Sequence, residues 1–382
     1  MKKVAAISDL RTMAQSRVPK VIFDYLEGGA DSESGLVRNR AAFRDLLLKP
    51  RYLVDVSSRD STVTLFGKTY AAPFGFAPIG IANLIWPRAE QMAAATAASE
   101  NIPFILSTAS ASTIEEIAAI GGRNVWFQLY PSSNQEITFD LVSRAEAAQC
   151  GALVVTVDVP VPGKRNRDLR NGFGLPMRLG IGGALDFARR RAWALGVLKH
   201  GIPTFANLER YMDGAAKRQS LASFMASQIS GGFDWAALRA IRQRWSGPLV
   251  LKGILQASDA RRAAEEGVDG IIVSNHGGRQ LDSAPASLGV VSGIRAAVGD
   301  SISVILDSGV RSGADIVKAI ATGAEFVFCG RAWIYGVAAG GQRGASRAVQ
   351  ILQQEVDCTL AQIGCPRLAE LDHSWLVQQP SS

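Results

Sequence analysis

Residues 271–282 read IIVSNHGGRQLD, a run whose residue types could do acid–base chemistry on an anionic ligand. A β-branched apolar stretch ends in Ser274, and Asn275, His276, Gly277, Gly278 and Arg279 follow where a buried strand would meet a loop. That is where α/β proteins hold their ligands. His276 is one of 3 histidines in 382 residues, and an imidazole with an ordinary pKa of about 6.5 takes and returns a proton near neutral pH. The two glycines permit a tight turn and the close approach of a flat ligand, while Arg279 offers a planar fork to a carboxylate or phosphate. A loop histidine and arginine that merely satisfy backbone carbonyls would look the same. The other strand ends separate the two readings.

Elements able to position such a loop recur along the chain. From Pro73 onward, short apolar runs alternate with Ala-rich helical stretches, and strands are expected at 74–78, 104–108, 125–130, 153–158, 249–253, 270–275, 304–309 and 326–331. RAEQMAAATAASE, STIEEIAAI, QEITFDLVSRAEAAQ, DARRAAEE and SGADIVKAIATG supply helices between them. The repeat predicts an α/β fold, a closed (β/α)8 TIM barrel. The strands lack strict polar alternation, as expected when helices cover the outside and side chains fill the inside. Ahead of the barrel, residues 7–17 and VPKVIFDYLEGGA predict two short helices, the second started near Pro19 and stopped at Gly28 and Gly29. Tyr25 sits on that second helix and, taken alone, is a packing residue. VTLFGKTY predicts a hairpin that plugs the barrel's bottom. Residues 1–382 read as one barrel domain, interrupted by an insertion at about 172–232 between strands four and five.

Composition narrows the class. Lys+Arg outnumber Asp+Glu by 41 to 34, a formal charge of +7, which suits anionic substrates, a phosphorylated cofactor or an acidic membrane surface. Nucleic acid is disfavoured, since no long basic tract is interleaved with aromatics. Cys150, Cys329, Cys358 and Cys365 lie in no metal-ligand spacing, so a reduced cytoplasmic setting without structural zinc is expected. No leader pattern opens the sequence, and no apolar run reaches the ~18 residues of a span. Within the insertion, Arg178, Arg189, Arg190, Arg191 and Lys199 share a stretch with Trp193, leucines and glycines. Such a segment can lie on an anionic bilayer. It could equally be a lid or a surface loop, and the plain reading is a solvated basic face.

Barrel enzymes gather their chemistry from the C-terminal ends of different strands. Here those ends carry Ala77-Pro78-Ile79-Gly80, Ser107, Gln128 and Tyr130, Thr156 and Asp158 with Arg165 beyond, Lys252, Ser274 with His276 and Arg279, Asp307 with Gly309 and Arg311, and Gly330 with Arg331. DSGVRSG and CGR form an anion site of glycine N–H groups, a helix start and two arginines. Gln128, Thr156 and Ser274 suit the amide-like edges of a flat heterocycle, with the Lys252 cation beside it. FMN answers that description better than a nicotinamide, and no GxGxxG opens a Rossmann unit.

Taken together, FDYLEGGA, APIG, LSTAS, WFQLY, TVDVPVPGKRNRDLRNGF, LVLKGIL, SNHGGRQLD, DSGVRSGADIVKAIATGA and GRAWIYG resemble the FMN-dependent (S)-2-hydroxy acid dehydrogenases and oxidases. That group contains glycolate oxidase, lactate dehydrogenase and mandelate dehydrogenase, and the wording here is closest to the membrane-associated mandelate enzymes. The resemblance implies oxidation of a mandelate- or L-lactate-like acid to the 2-oxo acid, with His276 as base and Asp158 orienting it. It assigns the substrate carboxylate to Arg165 and Arg279, further substrate bonds to Tyr25 and Tyr130, and FMN contacts to Ser107, Gln128, Thr156, Lys252, Arg311 and Arg331. Glycine at position 80 implies a dehydrogenase passing electrons to a quinone or cytochrome, with an oxygen-using oxidase as the alternative. A homotetramer, peripheral on the cytoplasmic face of the cell membrane, is the implied state. Both hydride transfer and α-proton removal are open to such a base, the first being favoured. Asp158 is expected to raise the imidazole's pKa. A non-redox FMN isomerase would leave the arginine pair and the histidine loop without a role, and so would a flavin-binding scaffold without catalysis.

Overall fold

The computed structural model describes residue 1 and residues 3–174, 181–212 and 230–378. Eight parallel strands close on themselves: β1 (Phe74–Phe76), β2 (Phe104–Ser107), β3 (Val125–Leu129), β4 (Leu153–Thr156), β5 (Leu249–Ile254), β6 (Gly270–Val273), β7 (Ser303–Leu306) and β8 (Phe326–Cys329). Each pairs with the next in sequence, and β8 returns to β1. All the expected strands are present, but most stop short of their expected ends. The chain leaves the ladder where the polar residues begin, and His276, Ser308 and Gly309 take left-handed φ values of 59°, 78° and 91°. The expected helices follow as an outer ring, joined by Leu288–Val298 and Arg331–Gly340.

A period of two divides each strand between two cores. Ile105, Trp126, Val154, Val250, Ile272, Ile305, Phe326 and Phe328 pack inside the barrel. Their neighbours, such as Phe104, Leu106, Phe127 and Val155, join the larger core under the helices. Two residues further along, the inward positions become Ser107, Gln128, Thr156, Lys252, Ser274 and Asp307. The same alternation that fills the barrel therefore turns polar groups toward its upper mouth.

The lower end is closed by the antiparallel hairpin Val63–Leu65 and Lys68–Tyr70. Leu65 and Tyr70 enter the inner cluster, and Trp126 Nε1 donates to the Tyr70 hydroxyl at 3.3 Å. At the upper end, α1 (Ile7–Arg17), α2 (Lys20–Glu27) and α3 (Ser34–Arg44) precede the barrel in sequence and wall its mouth.

Between β4 and β5 lie the helices Asn166–Arg170, Ile181–Arg189 and Arg191–His200. Trp193, expected as part of a membrane-facing surface, is instead only 3% exposed. Its Nε1 donates to Leu84 O at 3.0 Å and its ring meets Phe187 edge-on at 4.9 Å, so it fastens the insertion to the barrel. Arg190 is likewise committed, to Ser16 O and Asp186. Among the described residues of these helices and the turn after them, Leu169, Leu185, Leu195, Leu198 and Ile202 are exposed large apolar side chains. Arg178 lies outside the described residues.

The plug sets an expectation for stability. Leu65→Ala should cost about 2–5 kcal/mol, as a buried Leu truncation does, while Thr64→Ala on the exposed face of the same strand should stay within about 0.5 kcal/mol. Chemical denaturation of the two variants checks this, and equal losses would show that the hairpin does not fill the barrel.

Candidate active site

The mouth of the barrel encloses a cavity of about 570 Å³. Ala77, Pro78 and Ile79 from the end of β1, Ser107, Gln128, Tyr130 and Thr156 from the next three strands, and Lys252, His276, Asp307, Gly309, Arg311, Gly330 and Arg331 from the rest all line it. Tyr25 of α2, Arg165 and Arg279 complete the wall. Asp158 and Ser274 stand behind it. Ser274, expected to touch a cofactor, is fully buried; its hydroxyl accepts from Lys252 Nζ at 2.8 Å and from His276 N at 3.0 Å. It fixes two cavity residues and keeps its own hydroxyl proton to donate.

His276 sits in a turn built for it. A non-glycine residue at φ 59° is strained, and the loop is held there by Asn275, whose amide exchanges two hydrogen bonds with Asn39 of α3 at 2.7 and 2.8 Å. Gly278 must be glycine, because an added methyl would lie 2.9 Å from Leu36 N. His276 Nδ1 meets Asp158 Oδ1 at 3.0 Å and Nε2 meets the Tyr130 hydroxyl at 3.4 Å. A carboxylate acceptor keeps the proton on Nδ1 and leaves Nε2 as a free base. Burial lowers the imidazole's pKa below its ordinary 6.5, and the nearby Lys252 charge adds to this, outweighing the upward pull of Asp158. The expected upward shift is therefore reversed, since desolvation is the larger effect. Burial also pushes the Asp158 carboxyl up, but His276 and Lys252 hold it below its ordinary value.

That contact has to cross the end of β5. The ladder is irregular between Lys252 and Ile254, and Gly253 takes φ 109°, where an added Cβ would lie 2.5 Å from Asp158 Cβ. Glycine at this bulge leaves the room through which Asp158 reaches His276. Gly253 stood in the sequence as a glycine at a strand end, without a signal of what would pass over it.

The cations are unequally free. Lys252 Nζ pairs with Asp307 Oδ2 at 3.2 Å; burial pulls its pKa down, but Asp307 and Asp158 raise it further, so it stays charged. Arg279 Nη1 donates to Tyr25 O and Gly28 O at 2.7 Å each, and its guanidinium lies 4.9 Å from the Tyr25 ring centroid. Burial and the Arg165 charge lower its pKa to about 9, still well above neutrality. Arg331 also lines the cavity while donating to Leu26 O, Glu27 O, Gly28 O and Gly277 O, so its guanidinium is held in place beside any ligand there. Sequence reasoning passed over Asp168, which lies 3.9 Å from Arg165 and whose carboxyl burial pushes up. It also missed Phe173, stacked on Tyr25 at 4.4 Å. Both stand in the quoted motif GKRNRDLRNGF.

Gln128 Nε2, Thr156 Oγ1, Asp158 Oδ2 and Arg165 Nε are buried polar atoms with no partner among the described residues. Unpaired buried groups are costly, so their convergence on one site marks a place for a polar ligand.

Residues 14–378 match the family model for FMN-dependent dehydrogenases. The chain belongs to the FMN-dependent dehydrogenase family. It is therefore an oxidoreductase with FMN as cofactor. The dehydrogenase is 41% identical over 370 residues to (S)-mandelate dehydrogenase of Pseudomonas putida, covering 97% of this chain and 93% of that one. It is 38% identical over 377 residues to L-lactate dehydrogenase of Caulobacter vibrioides, covering 98% of each. A solved structure of the monotopic membrane protein (S)-mandelate dehydrogenase superposes with a TM-score of 0.93 at 40% identity, covering 98% of this chain and all of that one. The cavity fits FMN: Gln128 and Thr156 offer unpaired polar atoms to a heterocycle, and Gly309, Arg311, Gly330 and Arg331 all line it, two glycines and two cations suited to a phosphate.

The buried histidine gives a pH expectation. Nitrogen NMR of His276 should show it titrating below the ordinary imidazole range. Asp158→Asn removes the one nearby charge that raises the imidazole's pKa, so the titration should move to still lower pH. A shift upward would contradict the arrangement.

Proposed function

We propose that the dehydrogenase oxidises an (S)-2-hydroxy acid of the mandelate or L-lactate type to the 2-oxo acid, with His276 as the base. One observation carries the reading: an imidazole oriented by a buried carboxylate shares a cavity with two arginines, one of which keeps an unpaired buried nitrogen. Arg165 and Arg279 bind the substrate carboxylate, and Tyr25 and Tyr130 orient the hydroxyl. His276 Nε2 takes the hydroxyl proton, and Asp158 stabilises the imidazolium that forms. FMN, when bound, would accept the α-hydrogen together with the two electrons of its C–H bond. Ala77, Pro78, Ile79, Ser107, Gln128, Thr156, Lys252, Ser274, Asp307, Gly309, Arg311, Gly330 and Arg331 would hold the cofactor. The apolar wall of Leu169, Phe173 and Phe205 favours a bulky substituent, which ranks a mandelate-type acid ahead of lactate.

Gly80 lines the cavity, and by family likeness glycine there favours a dehydrogenase that reduces a quinone or cytochrome. Slow reoxidation of the substrate-reduced protein in air supports this, and fast reoxidation turns the reading to an oxidase. The insertion would rest on the cytoplasmic face of an anionic membrane through Leu195, Leu198 and Ile202, with Arg191 and Lys199 beside them. The support is their exposure and the monotopic membrane character of a similar enzyme. Among the described residues no helix is long and apolar enough to cross a membrane. A single-domain subunit in a homotetramer completes the proposal.

Anaerobic bleaching by candidate 2-hydroxy acids tests the reaction. His276→Ala should keep the yellow cofactor yet lose about 10²–10⁴-fold or more in the rate of reduction; a near-normal rate would sink the assignment. Arg279→Lys should raise KM, because a point charge replaces a fork. Sedimentation with anionic liposomes tests the membrane face. The protein should pellet at low salt and less at high salt, and the double variant Leu195→Ser, Leu198→Ser should remain in the supernatant. If the unaltered protein stays in the supernatant at low salt, the insertion is a lid or a surface loop.

A further inference from the structure

Helix α2 carries Tyr25 into the cavity wall, and neither of its ends is self-sufficient. Eight residues are too few for a helix to persist in water unaided. Its N-cap position is Pro19, at φ −54° and ψ 141°, which has no side-chain acceptor for the free N–H groups of the first turn, and that turn contains no acid. The missing acceptor comes from 166 positions along the chain: Lys20 N donates to Asp186 Oδ2 at 2.6 Å. A carboxylate there also meets the positive end of the helix dipole.

Asp186 belongs to the insertion helix Ile181–Arg189 and is itself held. Arg190 Nε lies 3.4 Å from Asp186 Oδ1, and Arg190 Nη1 donates to Ser16 O at the end of α1. Phe187, on the same helix, packs edge-on against the buried Trp193.

The far end of α2 is tied to the site. Its terminal carbonyls are taken by Arg279, at Tyr25 and Gly28, and by Arg331, at Leu26, Glu27 and Gly28. Between these ends the Tyr25 hydroxyl donates to Gly80 O at 3.4 Å. We infer that Asp186 is a positioning residue for the substrate clamp, acting through α2, so that the seating of the insertion sets the enzyme's affinity for its hydroxy acid. His276 and Asp158 stand on the ends of β6 and β4, off this strut. Loosening it should therefore change substrate binding and leave the proton transfer alone.

The inference rests on reading Arg279 and Tyr25 as ligands of the substrate carboxylate, and one set of measurements on the holoenzyme separates the two. With the 2-hydroxy acid that bleaches the protein fastest, Asp186→Ala should raise KM about fivefold, the scale of a lost helix cap. The anaerobic reduction rate at saturating substrate should stay within about twofold. Asp186→Asn, which still accepts from Lys20 N but loses the charge facing Arg190 and the helix dipole, should fall between Asp186→Ala and the unaltered enzyme. An unchanged KM in Asp186→Ala, a loss confined to the saturating rate, or an Asn variant as weak as the Ala variant would each overturn the inference. Should Asp186→Ala fail to retain FMN, Arg190→Ala carries the same test: it leaves the cap but frees it from its anchor, and an unchanged KM there overturns the inference equally. Arg279→Lys, run alongside, must itself raise KM. If it does not, the clamp reading fails, whereas a raised KM there beside an unchanged Asp186→Ala rejects only the coupling.

Discussion

The contact between Asp158 and His276 is the constraint around which the upper half of the barrel is built. The two residues follow β4 and β6, so the carboxylate must pass over the end of β5 to reach the ring at 3.0 Å. A side chain on residue 253 would occupy that path, and the irregular pairing after Lys252 delivers a glycine there instead. On the other side, His276 reaches its position only in a left-handed backbone conformation, which the buried amide pair of Asn275 and Asn39 holds in place. One strand end is thinned and one loop is strained so that a single hydrogen bond can form. Strain of this kind survives where surrounding structure over-determines it.

Burial then decides the protonation states. An isolated imidazole beside a carboxylate would be expected to hold its proton more tightly, yet this ring is held below its ordinary pKa because water is excluded and Lys252 stands near. Asp307, facing Lys252 at 3.2 Å, and Asp158 more than offset the effect of burial and keep the ammonium charged. Lys164, Arg165, Lys252, Arg279, Arg311 and Arg331 line the cavity against the carboxylates of Asp168 and Asp307, with Asp158 behind. That cationic excess suits the phosphate of FMN and one further anion, and it disfavours a cationic ligand.

The sequence disclosed the barrel because its signal is local and repeated: apolar runs of strand length, separated by Ala-rich helices, need no knowledge of distant contacts. The inward polar residues were legible for the same reason, since each lies two positions beyond an apolar inward residue. What was hidden depends on contacts across the chain. Ser274 has the residue type of a ligand contact, and that its hydroxyl also holds Lys252 and the His276 backbone could not be read from the sequence. Trp193 reads as a surface aromatic in a basic segment and is instead the bolt that fixes the segment. Gly253 looks like any strand-end glycine until Asp158 is seen crossing it. Arg331 carries the expected charge to the expected place, but its fork is occupied by a helix end 300 residues away in sequence.

That last case shows why elements outside the barrel matter to a site made by it. Strand ends can aim side chains inward, but arginine guanidinium groups at a buried mouth need acceptors, and the ladder has none left to give. Helix α2 supplies them from its C-terminal carbonyls, which would otherwise be the orphan acceptors of a helix end. The exchange satisfies both partners: the helix end gains two cations favourable to its dipole, and Arg279 and Arg331 gain fixed positions while retaining their charge at neutral pH. A barrel with this sequence but without residues 20–28 would take from those two buried guanidinium groups most of their acceptors, which is costly for a charge out of water. The N-terminal helices are thus part of the site's electrostatics, and whatever steadies α2 steadies the arginines with it.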